Sequence, residues 1–162
     1  MAPWGLSKKQ TLELVGWRAE LIGYDDDLDL DALARDDPEP CLRLFRFLFT
    51  RFSEALTLHL ESRGAAFDAT LTDRQLMCAI LQAWPLLTQQ ELSPTVTVDK
   101  FFEQRWGFDR LLFTLQCIFV CTQKHHQLVS VVHDQVETPE HVGTAIASSA
   151  LGPSRAGAPA EE

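Results

Sequence analysis

The chain has 162 residues, a length typical of one domain, and 46% of them are apolar while 23% are charged. The net charge of −9 arises from segments 25–39 and 137–162, while residues 40–136 carry nine bases and nine acids, so the chain lacks the basic surplus that nucleic-acid binding needs. The uncharged run 111–123 is shorter than the roughly 20 residues of a transmembrane helix, and the N-terminus has no apolar signal core, so we expect a cytoplasmic protein without a membrane partner.

The first predicted helices have clear start and stop signals. Ser7-x-x-Gln10 matches a capping box, in which a hydroxyl and an amide each accept a backbone N–H, and it predicts a helix over residues 7–22 that Gly23 ends. A short helix over 28–34 should follow. The apolar face of the first helix is expected to contain Leu14, Val15, Trp17, Arg18, Leu21 and Ile22.

The most apolar helix is predicted over residues 38–62. Asp37 and Pro38 suit a helix start, and Gly64 follows its end. Apolar residues recur on two sides of this segment, so we expect it to be central and buried. Those on the main side are Leu42, Phe45, Leu48, Phe49, Phe52, Leu56 and Leu60.

A second capping box, Thr72-x-x-Gln75, opens the next predicted helix. Pro85 has no N–H to donate, so we expect it to stop or bend this helix after about Trp84. The stretch "QQELSPTVTV" at 89–98 contains proline and polar residues and is predicted to be a loop.

The last helical segments are interrupted by a glycine. The pattern predicts a short helix over 98–106, ended by Gly107, and a long helix over about 108–135. Residues 137–162 are rich in Pro, Gly, Ala and Ser, with no periodicity. The sequence therefore predicts an all-α fold class, with one domain of about six helices over 7–136 and a disordered, flexible tail over 137–162.

A cluster of cysteines and histidines in "CIFVCTQKHHQ" raises the question of a metal site. Cys117, Cys121 and His125 lie four residues apart on one helical face, so the third would be about 12 Å from the first. One straight helix cannot close a tetrahedral site with this spacing, although His59 or Cys78 could in principle supply other ligands. Core cysteines followed by surface histidines are the favoured interpretation, with no metal and no cofactor.

Other catalytic and binding motifs do not fit the chain. "DDDLDLD" lacks the central Gly and the final Glu of a calcium loop, and an acidic, solvated turn explains it. The nucleophile elbow, phosphate loop and dinucleotide fingerprint are absent from the sequence. The cysteines lie in apolar helical contexts, which disfavour a reactive thiolate. We expect no catalytic residues and a protein that is not an enzyme.

Basic and aromatic residues mark a candidate protein-binding surface. Arginine and aromatic side chains are common anchors of protein interfaces, although ordinary solvated rims are the simpler alternative. The candidate residues are Lys8, Lys9, Arg43, Arg46, Arg51, Arg105, Trp106, Arg110, Lys124 and His125.

The order of several short motifs resembles a known family. The features are the "LIGY" helix end, the "DDP" entry to an aromatic-rich helix, the "KFFEQRWGFDR" break and the final helix ending in "KHHQL". Over about residues 10–129, the chain resembles the N-terminal domain of the 44-kDa centrosomal protein family. The resemblance implies a calponin-homology-like helical domain in which Cys117 and Cys121 face the core.

The resemblance also implies a function. It indicates a structural microtubule-associated protein of cilia or centrioles that binds tubulin and neighbouring proteins. The alternative is an adaptor for another centriolar or ciliary protein without tubulin contact. A net charge of −9 gives little long-range attraction to the acidic outer surface of a microtubule. Either a local patch around Lys8, Lys9, Arg43, Arg46 and Arg51 binds there, or the protein lies in the lumen of axonemal doublet microtubules.

Overall fold

The architecture is all-α, as predicted. The computed structural model describes residues 4–88 and 94–156, with side chains described as far as Val132. Within these residues there are seven α-helices, one more than the number predicted, and a 3₁₀ turn at Gln104–Trp106. The helices are α1 Lys8–Leu21, α2 Leu30–Ala34, α3 Glu39–Thr50, α4 Glu54–Ser62, α5 Asp73–Leu87, α6 Val98–Phe102 and α7 Gly107–Ala156. The chain divides into two compact units, Met1–His126 and Gln127–Glu162, and every site described below lies in the first.

Helix α3 lies at the centre of the core, which confirms the prediction for the most apolar segment. Eight of its residues are buried. The ring of Phe45 contacts the rings of Phe101 and Phe113, with 5.7 Å between centroids in each case. Phe113 also packs against Trp84 at 5.3 Å. Burial of each such side chain stabilises the fold by about 1.5–3 kcal/mol, so this aromatic cluster holds α3, α5, α6 and α7 together.

Both predicted capping boxes are present. The Ser7 hydroxyl accepts the backbone N–H of Gln10 at 3.2 Å, while the Gln10 side chain accepts the N–H of Ser7 at 2.9 Å. Thr72 and Gln75 make the same reciprocal pair at the start of α5. The predicted stop at Gly23 is confirmed by its positive φ of 77°, a conformation that glycine adopts without steric cost.

The prediction of one continuous helix over residues 38–62 is wrong, because the chain breaks between α3 and α4. Ser53 has extended backbone angles, φ −148° and ψ 119°, and its hydroxyl accepts the N–H of Leu56 at 3.1 Å. Ser53 is therefore an N-cap that starts a new helix. The apolar pattern concealed this break because Phe52 and Leu56 continue the spacing of the preceding helix.

Two expected helix ends also differ in the structure. Helix α5 continues through Pro85 to Leu87, because a proline in the last turn forfeits only one backbone hydrogen bond and its ring lies on the exposed side. Gly107 does not end the preceding helix. It has a right-handed φ of −54° and begins α7, while α6 stops at Phe102 and extended Glu103 leads into the 3₁₀ turn.

The connector before α6 is a loop, and the C-terminal helix is longer than predicted. Residues 94–97 form a loop, as predicted, while 89–93 lie outside the described residues. Helix α7 continues to Ala156, beyond the predicted end near residue 135, and residues 157–162 are not described. The helical conformation of a backbone does not by itself show whether the segment is flexible. The flexibility predicted for residues 137–162 therefore stays a prediction.

Candidate protein-binding surfaces

Four of the cations predicted to form a basic patch are paired with carboxylates. An exposed pair contributes little to stability, but it neutralises the charge that would attract an acidic partner. These residues therefore do not form the free basic patch that the sequence suggested. The pairs are Lys8–Asp36 at 2.8 Å, Arg43–Glu39 at 3.2 Å, Arg46–Asp73 at 3.0 Å and Arg51 with Asp25 at 3.3 Å and Asp26 at 3.9 Å. Lys9 is exposed and makes no ion pair within the described part of the chain.

Arg110 lies inside the protein, so its interpretation as a surface anchor is wrong. Only 2% of it is exposed. Its guanidinium donates to the carbonyl of Phe101 and, at 2.7 Å, to the carbonyl of Asp36. Burial lowers the pKa of Arg110, while the nearby carboxylates of Asp36 and Asp37 act in the opposite direction. The side chain joins α6, α7 and the loop before α3 rather than facing a partner.

Asp36 completes this joint. Its φ of 65° is in the left-handed region. Its carboxylate accepts a hydrogen bond from the ammonium group of Lys8 on α1. Its side chain packs directly on Gly107, where an added Cβ would lie 2.7 Å from the Asp36 Cβ. The start of α7 is therefore locked against the loop before α3, and a methyl group does not fit there. We call Lys8, Asp36, Gly107 and Arg110 the α7 joint.

Arg105 and Trp106 belong to the 3₁₀ turn, where Arg105 is exposed and Trp106 is half-buried. The Lys100 ammonium lies 4.5 Å from the centre of the Trp106 ring, and the Arg105 guanidinium lies 5.3 Å from it. Arg105 also pairs with Glu103 at 2.7 Å. The Trp106 indole nitrogen is buried and has no hydrogen-bond partner within the described part of the chain. A role for these residues in partner binding stays a prediction.

The cysteines of α7 are part of the core, as predicted. Cys117 and Cys121 are both fully buried, and burial raises the pKa of each thiol. Burial also raises the pKa of Cys41 to about 11. Across the described residues, no group of three or more His, Cys, Asp or Glu side chains is arranged to hold a metal ion. Cys78 differs from the expected buried context, because it is exposed on α5.

Thiol labelling should separate Cys78 from the buried cysteines. Iodoacetamide at neutral pH is expected to modify one of the four free cysteines of the native protein, because the buried thiols are inaccessible and remain protonated. In denaturant, all four should react. Mass spectrometry of the digested protein gives the modified positions. Native labelling of Cys117 or Cys121 at the rate of Cys78 would contradict their burial in the core.

His125 contributes to the fold. Its Nδ1 lies 2.7 Å from the hydroxyl of Ser53, the N-cap of α4, and its ring packs on Phe52 with 5.4 Å between centroids. The residue is half-buried, so the predicted surface position of this histidine holds only in part. The contact fixes α7 against the start of α4 and thereby positions the neighbouring Lys124.

A basic cluster of His59, Arg63 and Lys124 lies on this side of the protein. His59 lies in the last turn of α4, Arg63 is the residue that caps the end of this helix, and Lys124 comes from α7. Burial, and then the charges of Lys124 and Arg63, lower the pKa of His59, while the Leu86 carbonyl acts in the opposite direction. Within the described residues, neither Arg63 nor Lys124 makes an ion pair. Their positive charges are thus not neutralised locally.

An apolar groove separates α1 from α7 on another part of the surface. Its volume is about 350 Å³. One wall consists of Trp4, Leu6, Leu14 and Arg18, and the other consists of Leu115, Ile118, Phe119 and Thr122. A shallower recess that shares Leu6 and Leu14 with this groove extends the surface to Gln10, Glu13 and Trp17. We call the combined surface the α1/α7 groove.

The groove exposes large aromatic side chains. Trp17 is 52% exposed and Phe119 is 48% exposed. Of the predicted apolar face of α1, Val15 is buried and Leu14 and Ile22 pack against the core. The placement of Trp17 and Leu21 on that face is wrong, because both are exposed. The Arg18 guanidinium lies 5.1 Å from the centre of the Trp17 ring. One feature of the sequence indicated this exposed surface. The apolar residues of α1 cover more of the helix than the single stripe that faces the core.

Comparison with known protein families identifies a match over residues 9–135, to the family described as centrosomal spindle body, CEP44. The chain belongs to the CEP44 family. Membership places it among structural proteins of the centrosome and spindle, and it supports a centrosomal or centriolar location and protein partners. No curated protein matches the chain.

The match confirms the family resemblance found in the sequence motifs of this CEP44-family chain. The calponin-homology-like arrangement of the helices stays a prediction. Among the helices of the described part of the chain, none combines the length and apolarity needed to cross a bilayer. The α1/α7 groove and the His59 cluster were not predicted, because each combines residues from helices that are distant in the sequence.

Proposed function

We propose that this CEP44-family chain is a non-enzymatic structural protein of the centriole that binds microtubules through its folded domain. The observation that carries this proposal is the basic cluster of His59, Arg63 and Lys124. Four cations of the predicted patch are paired with carboxylates, whereas Lys124 and Arg63, the latter not predicted, have no acidic partner among the described residues. A local positive surface can bind an acidic partner even on a protein with a net charge of −9.

The acidic tails on the outer surface of tubulin are the complementary partner for this cluster. Attraction between exposed charges decreases as ionic strength rises, because salt screens them over about 10 Å at 0.1 M. Binding by this route should therefore weaken as salt is added. It should also weaken when the tubulin tails are removed by limited proteolysis.

Co-sedimentation with microtubules tests the proposal. The double variant Arg63→Glu/Lys124→Glu is expected to bind about tenfold more weakly, since reversing two charges turns attraction into repulsion. The matched control is Lys9→Glu/Arg35→Glu, which makes the same change in net charge at exposed positions outside the cluster that likewise make no ion pair among the described residues. The control should bind like the unmodified chain.

Two results would oppose microtubule binding through the cluster. If the unmodified chain does not sediment with microtubules, direct tubulin binding is wrong. If it sediments equally well with and without tubulin tails, and the double variant does too, the cluster is not the contact. A luminal position in doublet microtubules would then be favoured, because the lumen lacks these tails.

An adaptor is the second candidate function, and the α1/α7 groove favours it. Exposed tryptophan, phenylalanine and arginine side chains around an apolar recess are typical of protein interfaces. An adaptor would use this groove without contacting tubulin. Loss of centrosomal localisation on Phe119→Ala, in a variant that still sediments with microtubules, would indicate that the groove acts independently of the basic cluster.

A further inference from the structure

The α1/α7 groove has the features of a docking site for a helix. Helix α1 with the residues just before it forms one wall and helix α7 forms the other, so a third helix can lie between them with its side chains at i, i+3 or i+4 and i+7 filling the recess. The volume of about 350 Å³ is sufficient for a few large apolar side chains. Trp4, Trp17 and Phe119 are each at least 41% exposed, although they are among the largest apolar side chains of the protein.

Arg18 defines the charge of the occupant in the recess of about 350 Å³, because the acidic residue of the groove, Glu13, lines only the shallower recess. It lies on the wall of the groove, and its guanidinium stacks on Trp17 without an ion pair to any described carboxylate. The apolar recess beside it would shield a carboxylate from water, so an ion pair formed there would be stronger than one on an open surface. A bound helix with an acidic residue next to its apolar anchors would supply that carboxylate.

We propose that the α1/α7 groove binds an amphipathic helix of another protein, with a carboxylate of that helix pairing with Arg18. This site is separate from the basic cluster of His59, Arg63 and Lys124, and it does not depend on microtubule binding. The aromatic side chains provide most of the contact area, and Arg18 selects for an acidic residue. A second copy of this chain or one of its own segments would be a different occupant.

A pair of synthetic peptides tests the charge preference. Both are amphipathic helices of about 20 residues, long enough to be helical in solution. They have leucine at i, i+4 and i+7 and differ only in a Glu or a Lys beside the first leucine. Titration into the full chain, followed by the NMR signals of the Trp4 and Trp17 indoles, is expected to show about tenfold tighter binding of the Glu peptide.

Charge reversal at Arg18 provides the decisive comparison. In the Arg18→Glu variant, the preference should reverse in favour of the Lys peptide. Phe119→Ala should weaken the binding of both peptides, because it removes an apolar contact that the two share. Leu58→Ala is the matched control, since Leu58 is a 57% exposed leucine on α4 outside the groove, and it should change neither affinity. Equal affinity for both peptides, or a preference that persists in Arg18→Glu, would overturn the proposal.

A photo-reactive residue identifies the occupant. The variant Phe119→p-benzoylphenylalanine of the full chain, illuminated with the Glu peptide, is expected to form a crosslink to the peptide. Crosslinks mainly to a second copy, or to other segments of the same chain, would show that the groove is filled by the protein itself. Either result would overturn the proposal of a heterologous helix. Intact-mass and peptide-level spectra distinguish these products.

Discussion

Replacing Arg110 with Met is expected to lower the free energy of unfolding by about 2–5 kcal/mol. Methionine retains much of the apolar stem but cannot donate hydrogen bonds, so the carbonyls of Phe101 and Asp36 would be left without these donors. The variant also loses the attraction of the guanidinium to the nearby carboxylates of Asp36 and Asp37. Chemical denaturation followed by circular dichroism measures this loss.

Arg105→Met is the matched control for Arg110→Met. Arg105 is exposed, and its ion pair with Glu103 is also at the surface, so its replacement should change the stability by less than about 1 kcal/mol. The Arg110→Lys variant should lose about as much stability as Arg110→Met. A single ammonium group cannot donate to both carbonyls in the two directions in which the guanidinium donates. If Arg110→Met is as stable as the control, the buried hydrogen bonds do not hold the α7 joint together.

Gly107→Ala should also destabilise the protein, by about 1–3 kcal/mol. At an ordinary helical position this change stabilises, because alanine restricts the unfolded chain and favours the helix. At Gly107, the added Cβ would overlap the side chain of Asp36. Either Asp36 or the start of α7 must then move, which strains the contacts of Arg110. Thermal and denaturant unfolding of the purified variant measure the effect.

Asp36→Gly provides a matched rescue for Gly107→Ala. It removes the side chain that blocks the methyl group, and glycine accepts the positive φ of 65° at residue 36. The double variant should therefore lose less stability than the sum of the two single variants, with a coupling of about 1 kcal/mol or more. Gly16→Ala is a control inside α1, where the Cβ would approach Leu30 no closer than 3.4 Å. Additive costs at 36 and 107 would contradict a direct clash.

Start signals that depend on neighbouring residues were predictable from the sequence. Ser7 with Gln10, and Thr72 with Gln75, contain all the groups needed to satisfy the first backbone N–H donors of a helix. The break at Ser53 had a similar local signal, a serine followed by an acidic residue, but the apolar spacing of Phe52 and Leu56 outweighed it. Periodicity alone cannot distinguish one helix from two helices that share a buried face.

Contacts between distant residues could not be predicted in the same way. Arginine is usually exposed, and the carbonyl that holds Arg110 belongs to Asp36, which is 74 residues away. The prediction of a free basic patch was wrong for a similar reason. The carboxylates that pair with Arg46 and Arg51 belong to Asp73 and Asp25, which are distant in the sequence. The groove residues Trp17 and Phe119 were ambiguous, since an apolar side chain on a helix can face either the core or a partner.

The α7 joint has a consequence for the kinetics of folding. The bond from Arg110 to Asp36 closes a loop across a sequence separation of 74 residues, and the entropy of closing it must be lost before the contact stabilises anything. Such a contact should form late, after the aromatic core has assembled around α3. Variants in the joint would then mainly accelerate unfolding and leave the folding rate nearly unchanged. The joint would thus determine how long a folded molecule persists more than how quickly it forms.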